Sequence, residues 1–319
     1  MSVVVIKLVD PATGATARVI PSVGFNCFSF QPVLDGDSVE LLWSEAGFES
    51  GQGRPTRSGI PILFPFPGRL SGSTLRYGDR EVPLVIDPKQ GCAIHGFVHS
   101  RPWRVIESRP ASVTGEFHAA TDDVELLKLW PADFRIRVCY ELNAGGLDST
   151  LTVDNPGNSP MPFGLGTHGY FRVPLSDNPA GRDECRVIAP VRKFWELQKM
   201  FPTGKTLAAE GTKNLAAGIP YGQTQLDDVF TDLQSQHGKI VCHVDDPTNR
   251  RRMVLEFDDS FRDCVVFDPP HREAICLEPY TCAPDAYKLQ DRGIDAGLRV
   301  LGPGERFQAK VSMRLESLA

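Results

Sequence analysis

The sequence lacks an apolar run long enough to cross a membrane, since a spanning helix needs about 20 apolar residues. Its first residues, MSVVVIKLVDPATGATARVI, also lack the basic segment and long apolar core of a secretory signal peptide. This beginning is typical of a strand, a turn and a second strand. We therefore expect a cytoplasmic protein with no membrane partner.

A strong excess of positive charge is also missing. The chain has 34 Lys and Arg residues against 40 Asp and Glu residues, which gives a formal net charge of −6. A nucleic acid or an anionic membrane is normally bound through a basic surface. The charge balance therefore argues against both as the main partner.

Several catalytic and redox motifs are absent. The sequence has no G-x-S-x-G elbow, no P-loop and no dinucleotide-binding fingerprint. Its eight cysteines include no C-x-x-C pair, and most lie in apolar, strand-like stretches. The even number permits disulfides, but a chain of 319 residues does not need them. We expect reduced, buried cysteines.

Alternation of apolar and polar residues with period two dominates what is present, and it predicts half-buried strands. It occurs in RIRVCYEL (135–142), STLTVDN (149–155), RMVLEF (252–257) and RFQAKVSMRLE (306–316). The shorter apolar runs DCVVF and AICLE are typical of strands covered on both faces. Frequent Gly/Pro turns separate these segments. The pattern predicts an all-β sandwich or barrel.

Helical periodicity is scarce. The best candidate is DDVELLKLWPADF (122–134), in which Pro131 ends the helix early, and shorter patches at 205–217 and 285–290 predict a turn or two. No linker or repeat divides the chain. We therefore expect one domain over residues 1–319.

Five polar residues stand at the ends of strand-like apolar runs, where a rigid sheet often supports a site. They are Arg69 after SGIPILFPFPG, His95 in CAIHGF, His168 in THGYF, Asp227 in LDDVF and Glu278 in AICLEPY. Each also has an ordinary interpretation, as a surface arginine, packed histidine or turn carboxylate. Together, a histidine and a glutamate without a nucleophile favour proton transfer.

Two further features lie close to the two histidines. His99 lies four residues after His95, but Gly96 and Val98 disfavour the helix that would make them a metal-binding pair. Gly164, Gly166 and Gly169 surround His168, and their lack of side chains suggests that a ligand could approach the backbone there.

The motifs PFPGRL, IHGFV, GTHGYF, FPTGK, LDDVF and LEPYTCAPDA occur in this order between residues 65 and 286. Together they resemble the aldose 1-epimerase, or galactose mutarotase, family, and the resemblance covers nearly the whole chain. The resemblance implies a large antiparallel β-sandwich with few short helices and a sugar cleft across one concave sheet. It implies a small sugar as partner and no metal or organic cofactor. We expect a monomer or a homodimer.

The resemblance also implies roles for the residues. Glu278 resembles the general base and His168 the general acid of the family. Arg69, His95 and Asp227 resemble its groups that bind sugar hydroxyls. Tyr170 or Phe171 would help to wall the cleft.

Two departures leave the substrate open. The family often has Asn immediately before the arginine that corresponds to Arg69, whereas this chain has Gly68. The stretch TRSGIP resembles that of hexose-6-phosphate epimerases, in which arginines bind phosphate, so Arg54 and Arg57 are possible phosphate ligands. A solvated loop is the ordinary interpretation of these two arginines.

Two further functions stay open. One is a sugar-binding or sensing protein without catalysis. The other is a glycoside hydrolase or lyase on a similar sandwich. Hydrolysis normally needs two carboxyl groups beside one bond, and Asp227 and Glu278 could supply them.

Overall fold

A computed structural model describes residues 3–318 of the chain. Two large antiparallel sheets form its centre, as the alternating sequence predicts. A nine-stranded sheet has, in spatial order, strands Arg104–Arg109, Ser112–His118, Arg135–Asn143, Gly146–Asp154, Arg306–Ser317, Arg251–Asp258, Lys239–Asp246, Arg186–Ile188 and Ile219–Pro220. The four strands expected from clear alternation all lie in this sheet, so these predictions are confirmed.

An eight-stranded sheet is the second layer. Its spatial order is Phe201–Ala208, Val191–Gln198, Asp227–Leu233, Asp263–Phe267, Ala274–Tyr280, Gly166–Thr167 and Ile62–Leu63, with Gly169–Arg172 also paired to Ala274–Tyr280. The predicted apolar strands DCVVF and AICLE are neighbours in this sheet. All seven residues of Ala274–Tyr280 are buried, as expected for a strand covered on both faces.

Smaller sheets complete the strand structure. Ile6–Val9, Thr16–Ile20 and Asn26–Gln31 form a three-stranded sheet, which confirms the strand–turn–strand expected near the beginning of the chain. Four two-stranded sheets pair Arg69–Leu70 with Ala93–Ile94, Met161–Phe163 with Arg299–Leu301, Val33–Leu34 with Asp37–Ser38, and Thr74–Tyr77 with Arg80–Pro83.

Helices are few and short in the described residues. The α-helices are Ala119–Asp122 and Ala286–Asp291, and the 3₁₀ turns are Phe48–Ser50, Pro55–Arg57, Val98–Ser100, Val124–Lys128, Gly211–Lys213, Leu215–Ala217 and Tyr221–Gln223. The predicted helix over 122–134 is thus reduced to one 3₁₀ segment, which ends before Pro131. None of the helices between residues 3 and 318 is long and apolar enough to span a membrane.

One large core fills the space between the two sheets. Ile136 and Val138 contribute to it from the nine-stranded sheet, and Val266, Ile275 and Leu277 from the eight-stranded sheet. The eight cysteines are free; Cys139 is half-buried and the others are buried. Because Ile275 and Leu277 point into the core, their alternating neighbours point to the opposite, outer face of the sheet.

Candidate active site

Strand Ala274–Tyr280 carries Glu278, the residue that the sequence predicts as a base. Alternation directs Cys276, Glu278 and Tyr280 to the outer face of the eight-stranded sheet. The sequence predicted Glu278 at the mouth of a strand, because Pro279 follows it. That prediction is wrong, since the strand continues through Pro279 to Tyr280. The carboxylate therefore projects from the middle of a rigid strand.

His168 lies between the short strands Gly166–Thr167 and Gly169–Arg172. Its backbone N–H donates to the carbonyl of Pro61 at 3.0 Å. Its ring stacks on Tyr170 with a centroid separation of 4.8 Å and an angle of 4°. This packing places Nε2 of His168 3.3 Å from Oε1 of Glu278. The two groups predicted to transfer protons are therefore adjacent.

The glycines around His168 have a different role from the one expected. A Cβ at Gly164 would lie 2.4 Å from Sγ of Cys282, and one at Gly166 would lie 2.6 Å from Cδ1 of Tyr280. At Gly169 it would lie 2.6 Å from Cζ of Phe171. Protein side chains thus fill the space beside all three glycines. The prediction that they open the backbone to a ligand is wrong.

A cleft of about 460 Å³ exposes the site to solvent. The residues singled out from the sequence all line it: Arg54, Arg57, Arg69, His95, His168, Asp227 and Glu278. Tyr170 also lines the cleft, whereas Phe171 is buried in the core between the sheets. Of the two aromatic residues proposed to wall the cleft, only Tyr170 therefore lies in its wall.

Arg69 and His95 enter the cleft from one small sheet, in which Arg69 pairs with Ile94. The N–H of His95 donates to the carbonyl of Gly68 at 2.8 Å, and the Arg69 guanidinium donates to Oε1 of Gln90 at 3.2 Å. His95 has a φ of 64°, and its ring lies 5.4 Å from that of His168 between centroids. A non-glycine residue at positive φ is uncommon, and such positions cluster at functional sites.

Asp227 begins strand Asp227–Leu233, as expected, and it is exposed to the cleft. Asp228 has a different environment. Its carboxylate lies 2.5 Å from Nζ of Lys213, and it does not line the cleft. Alternation along the strand therefore leaves one of the two adjacent carboxylates free for a ligand.

Burial determines the charge state of the central groups. It raises the pKa of Glu278 well above its usual value, while a hydrogen bond from Tyr280 and the charge of Arg69 act in the opposite direction. It lowers the pKa of His168, and it also lowers that of His95. Desolvation similarly raises the pKa of Asp227, against the influence of Arg69. The site thus disfavours charge on both proton-transfer groups.

Arg54 precedes the 3₁₀ turn Pro55–Arg57 at the side of the cleft, and Arg57 is the last residue of that turn. Among residues 3–318, no carboxylate oxygen lies within 4.0 Å of either guanidinium. The hydroxyl of Tyr170 donates to the carbonyl of Thr56 at 2.9 Å, which ties this turn to the wall beside His168. Both arginines are therefore available to an anionic ligand.

Among the residues that the structure describes, one group of side chains could hold a metal ion. Ligand atoms of His168, Cys276 and Glu278 lie within 4.8 Å of one another, and all three residues are buried. A metal ion there would occupy both predicted proton-transfer groups. His99 lines the cleft from the 3₁₀ turn Val98–Ser100, and its Nδ1 lies 3.3 Å from the carbonyl of His95. The turn does not include His95, which has a φ of 64°, so no helix pairs the two histidines, as expected. Neither His95 nor His99 belongs to the group that could hold a metal ion.

A second depression of about 570 Å³ is lined in part by Trp43, Arg172 and Glu273. It contains none of the residues that the sequence singled out. Two ion pairs lie in its lining; in one of them, Nη1 of Arg172 lies 2.7 Å from Oδ1 of Asp177. The smaller cleft, which contains the histidine–glutamate pair and all the residues singled out from the sequence, is the better candidate for an active site.

Sequence reasoning missed Tyr280, whose hydroxyl donates to Oε2 of Glu278 at 2.6 Å. The spacing of Glu278 and Tyr280 was a usable signal, because residues two apart in a strand share a face. It was overlooked because the strand was predicted to end before Pro279. Gln90 was also missed, and it carries no local signal, since it reaches Arg69 from a separate turn.

The chain is similar in sequence to known proteins. Residues 14–314 match the family described as aldose 1-epimerase. An Escherichia coli protein, the uncharacterized protein YphB, is 26% identical over 276 residues, which cover 80% of this chain and 83% of that protein.

Solved structures show the same fold. A galactose mutarotase-like protein from Clostridium acetobutylicum aligns with a TM-score of 0.85 at 24% identity over 99% of both chains. A GalM/aldose epimerase homologue from C. elegans aligns with a TM-score of 0.81 at 16% identity over 100% of both chains. The match over nearly the whole chain shows that this protein belongs to the aldose 1-epimerase family.

Proposed function

We propose that the protein is an aldose 1-epimerase, which interconverts the α and β anomers of a hexose or a related sugar. The observation that carries this proposal is the distance of 3.3 Å between Nε2 of His168 and Oε1 of Glu278 inside a polar cleft. Anomer exchange requires one group that removes a proton and one that supplies a proton, and the pair provides both.

In the proposed reaction, Glu278 accepts the proton of the O1 hydroxyl while His168 donates a proton to the ring oxygen. The bond between C1 and the ring oxygen breaks, and an open-chain aldehyde forms. After rotation about the bond between C1 and C2, His168 recovers its proton and Glu278 returns one to O1. The ring then closes on the other face of C1, and both groups regain their initial protonation.

The cycle needs one proton on the pair. Opening starts with that proton on His168, and closure starts with it on Glu278. Burial raises the pKa of Glu278 and lowers that of His168, which makes the form protonated at Glu278 accessible. Arg69 and Tyr280 favour the carboxylate and so keep the opposite form accessible. Such balance suits proton transfer in both directions.

Arg69, His95 and Asp227 are proposed to orient the sugar. Asp227 can accept bonds from two hydroxyls, and the planar guanidinium of Arg69 can donate two parallel bonds. His95 is held neutral by burial, and a neutral imidazole can both donate and accept. By fixing the positions of the sugar hydroxyls, these three residues are proposed to hold C1 and the ring oxygen beside His168 and Glu278.

Polarimetry of freshly dissolved α-D-glucose and α-D-galactose tests this function. Glu278→Gln and His168→Asn should each reduce the enzymatic rate by about 10²–10⁴-fold, the usual contribution of general acid or base catalysis. Glu141→Gln and His237→Asn change exposed residues away from the cleft and serve as matched controls. Sugar binding without faster mutarotation would instead indicate a sensing protein.

A hexose 6-phosphate is the second candidate substrate, favoured by the two arginines that lack carboxylate partners. In this proposal Arg54 and Arg57 bind the phosphate, for which a guanidinium pair is well suited. Arg57→Ala should then raise the KM for glucose 6-phosphate and leave that for glucose unchanged. Equal turnover of glucose 6-phosphate by Arg57→Ala and the unaltered protein would exclude this role.

A further inference from the structure

Tyr280 and Glu278 form a short hydrogen bond within one strand. The phenolic hydroxyl donates to Oε2 at 2.6 Å, and the two residues are 1% and 2% exposed. Both side chains lie on the outer face of the eight-stranded sheet, separated by Pro279. Because both are buried, water does not compete effectively for this bond.

The ring of Tyr280 packs against the backbone of Gly166, which has no side chain. Gly166 pairs with Tyr280 across the sheet, and a Cβ at Gly166 would lie 2.6 Å from Cδ1 of Tyr280. The same Cβ would lie 2.9 Å from Cβ of Pro67. The φ of Gly166 is not in the positive region, so space rather than backbone conformation is what glycine provides here. Gly166 therefore allows the ring to lie against the backbone.

We propose that Tyr280 is a positioning residue, which holds Oε2 of Glu278 and leaves Oε1 as the oxygen that faces His168 and accepts the proton of the sugar. This inference rests on the proposed role of Glu278 as the base. The phenol remains protonated throughout, so no bond to its proton breaks. Tyr280 thus acts through Glu278 and does not itself exchange a proton with the sugar.

The hydrogen bond also stabilises the carboxylate. Several other ionisable groups face or influence Glu278 from the neighbouring elements: His168, Tyr170, Arg69, Asp227, Cys264 and Cys276. Burial and Asp227 raise the pKa of Glu278, whereas Tyr280 and Arg69 lower it. Burial and the nearby Glu278 raise the pKa of Tyr280 well above its usual value, which keeps its hydroxyl a donor. Loss of that donor should raise the pKa of Glu278 further.

Tyr280→Phe tests the proposal, because it removes one hydroxyl and preserves the ring. A hydrogen bond to a charged group is strong enough to change a pKa by about one pH unit or more. We expect kcat to fall about tenfold or more, KM to change less, and the basic limb of the pH profile to move to higher pH. Tyr280→Gln, which restores a donor, should recover part of the loss.

Tyr140→Phe is the matched control. It removes a buried hydroxyl in the nine-stranded sheet that has no hydrogen-bond partner among the described residues. It should leave the pH profile unchanged. A profile for Tyr280→Phe that coincides with that of Tyr140→Phe would overturn the inference.

A measurement independent of activity separates this inference from the proposed function. Carbon-13 NMR of the glutamate carboxyl groups follows the titration of Glu278, and Glu278→Gln identifies its signal. The pKa of Glu278 should be higher in Tyr280→Phe than in the unaltered protein. Absence of mutarotase activity in the unaltered protein would refute the proposed function, whereas an unchanged Glu278 titration would refute the role of Tyr280.

Gly166→Ala provides a second route if Tyr280→Phe does not fold. It retains the hydroxyl but introduces a methyl group against the ring, which should displace the ring from Glu278. The Glu278 titration should then move in the same direction as in Tyr280→Phe. An unchanged titration in a folded Gly166→Ala variant would count against the positioning role.

Discussion

Pro284 occupies the space into which a side chain at Gly68 would extend. A Cβ at Gly68 would lie 2.7 Å from Cγ and 2.9 Å from Cβ of Pro284. Gly68 also has a φ of 65°, in the left-handed region that glycine adopts without penalty. The sequence raised the question of why glycine stands where the family often has asparagine. In this protein, contact with Pro284 leaves no room for the amide.

Gly68→Asn should therefore disturb the neighbouring Arg69. Asparagine tolerates a left-handed backbone better than most residues, so the contact with Pro284 is the main cost. Overpacking of this kind lowers the free energy of unfolding by about 1–3 kcal/mol. We expect that loss in urea unfolding, with a higher KM for the sugar in polarimetry.

Gly72→Asn is the control for this substitution. Gly72 has a φ of 83°, and a Cβ there would meet no atom closer than 3.8 Å. The Gly72→Asn variant should have the same KM for the sugar as the unaltered protein. Equal KM values for the two variants would show that Pro284 does not restrict position 68.

The pH dependence of kcat/KM should be bell-shaped. Below the active range both His168 and Glu278 are protonated and no base remains; above it both are deprotonated and no acid remains. Burial lowers the pKa of His168 from 6.5, which moves the acidic limb to lower pH. It raises the pKa of Glu278 from 4.5, which moves the basic limb to higher pH. Polarimetric rates across the pH range should therefore show an acidic limb well below pH 6.5, the ordinary pKa of an imidazole; an acidic limb at or above that pH would contradict this assignment.

Asp227→Asn should mainly weaken binding of the sugar. The substitution preserves the shape of the side chain but removes its charge and one acceptor oxygen, so Asp227 can no longer accept bonds from two hydroxyls. Loss of a hydrogen bond to a charged group corresponds to about 1.5–3 kcal/mol, or roughly a tenfold to hundredfold rise in KM. Asp232→Asn, at an exposed position of the same strand, is the control. A fall in kcat at constant KM would place Asp227 in the chemistry instead.

Metal ions should inhibit the proposed mutarotase activity. Zn²⁺ prefers the imidazole, thiolate and carboxylate ligands that His168, Cys276 and Glu278 offer within 4.8 Å. A bound ion would hold both proton-transfer groups, so Zn²⁺ should reduce the polarimetric rate and EDTA should restore it. Cys276→Ser should retain activity and require more Zn²⁺ for inhibition. A loss of activity on treatment with EDTA alone would contradict this view.

The sequence predicted the strands and which residues line the cleft. It predicted less well how those cleft residues contact their neighbours. Alternation is a local property, so strands such as Arg135–Asn143 and Arg306–Ser317 could be recognised directly. The residues of the cleft were recognised because ordered motifs of a family accompany them. Contacts between distant segments left no such signal. The hydrogen bond from Arg69 to Gln90 and the packing of Cys282 beside Gly164 depend on the assembled sheets.

Two errors have a common physical origin. Pro279 was taken as the end of a strand because proline cannot donate a backbone hydrogen bond. The sheet nevertheless continues, with Pro279 opposite Cys264. Similarly, the glycines near His168 were assigned to ligand access, although in a close-packed interior their missing side chains make room for protein neighbours. Tertiary packing decided both cases.

The position of Glu278 in the middle of a sheet strand has a consequence for how this protein can diversify. The proposed base and Tyr280 belong to one strand, whereas Arg54, Arg57 and Gln90 belong to surface turns. Under the proposed roles, sequence changes in those turns would alter which sugar is accepted and leave the proposed acid–base pair unchanged. The fold thereby places the proposed chemistry and the proposed substrate contacts on separate elements.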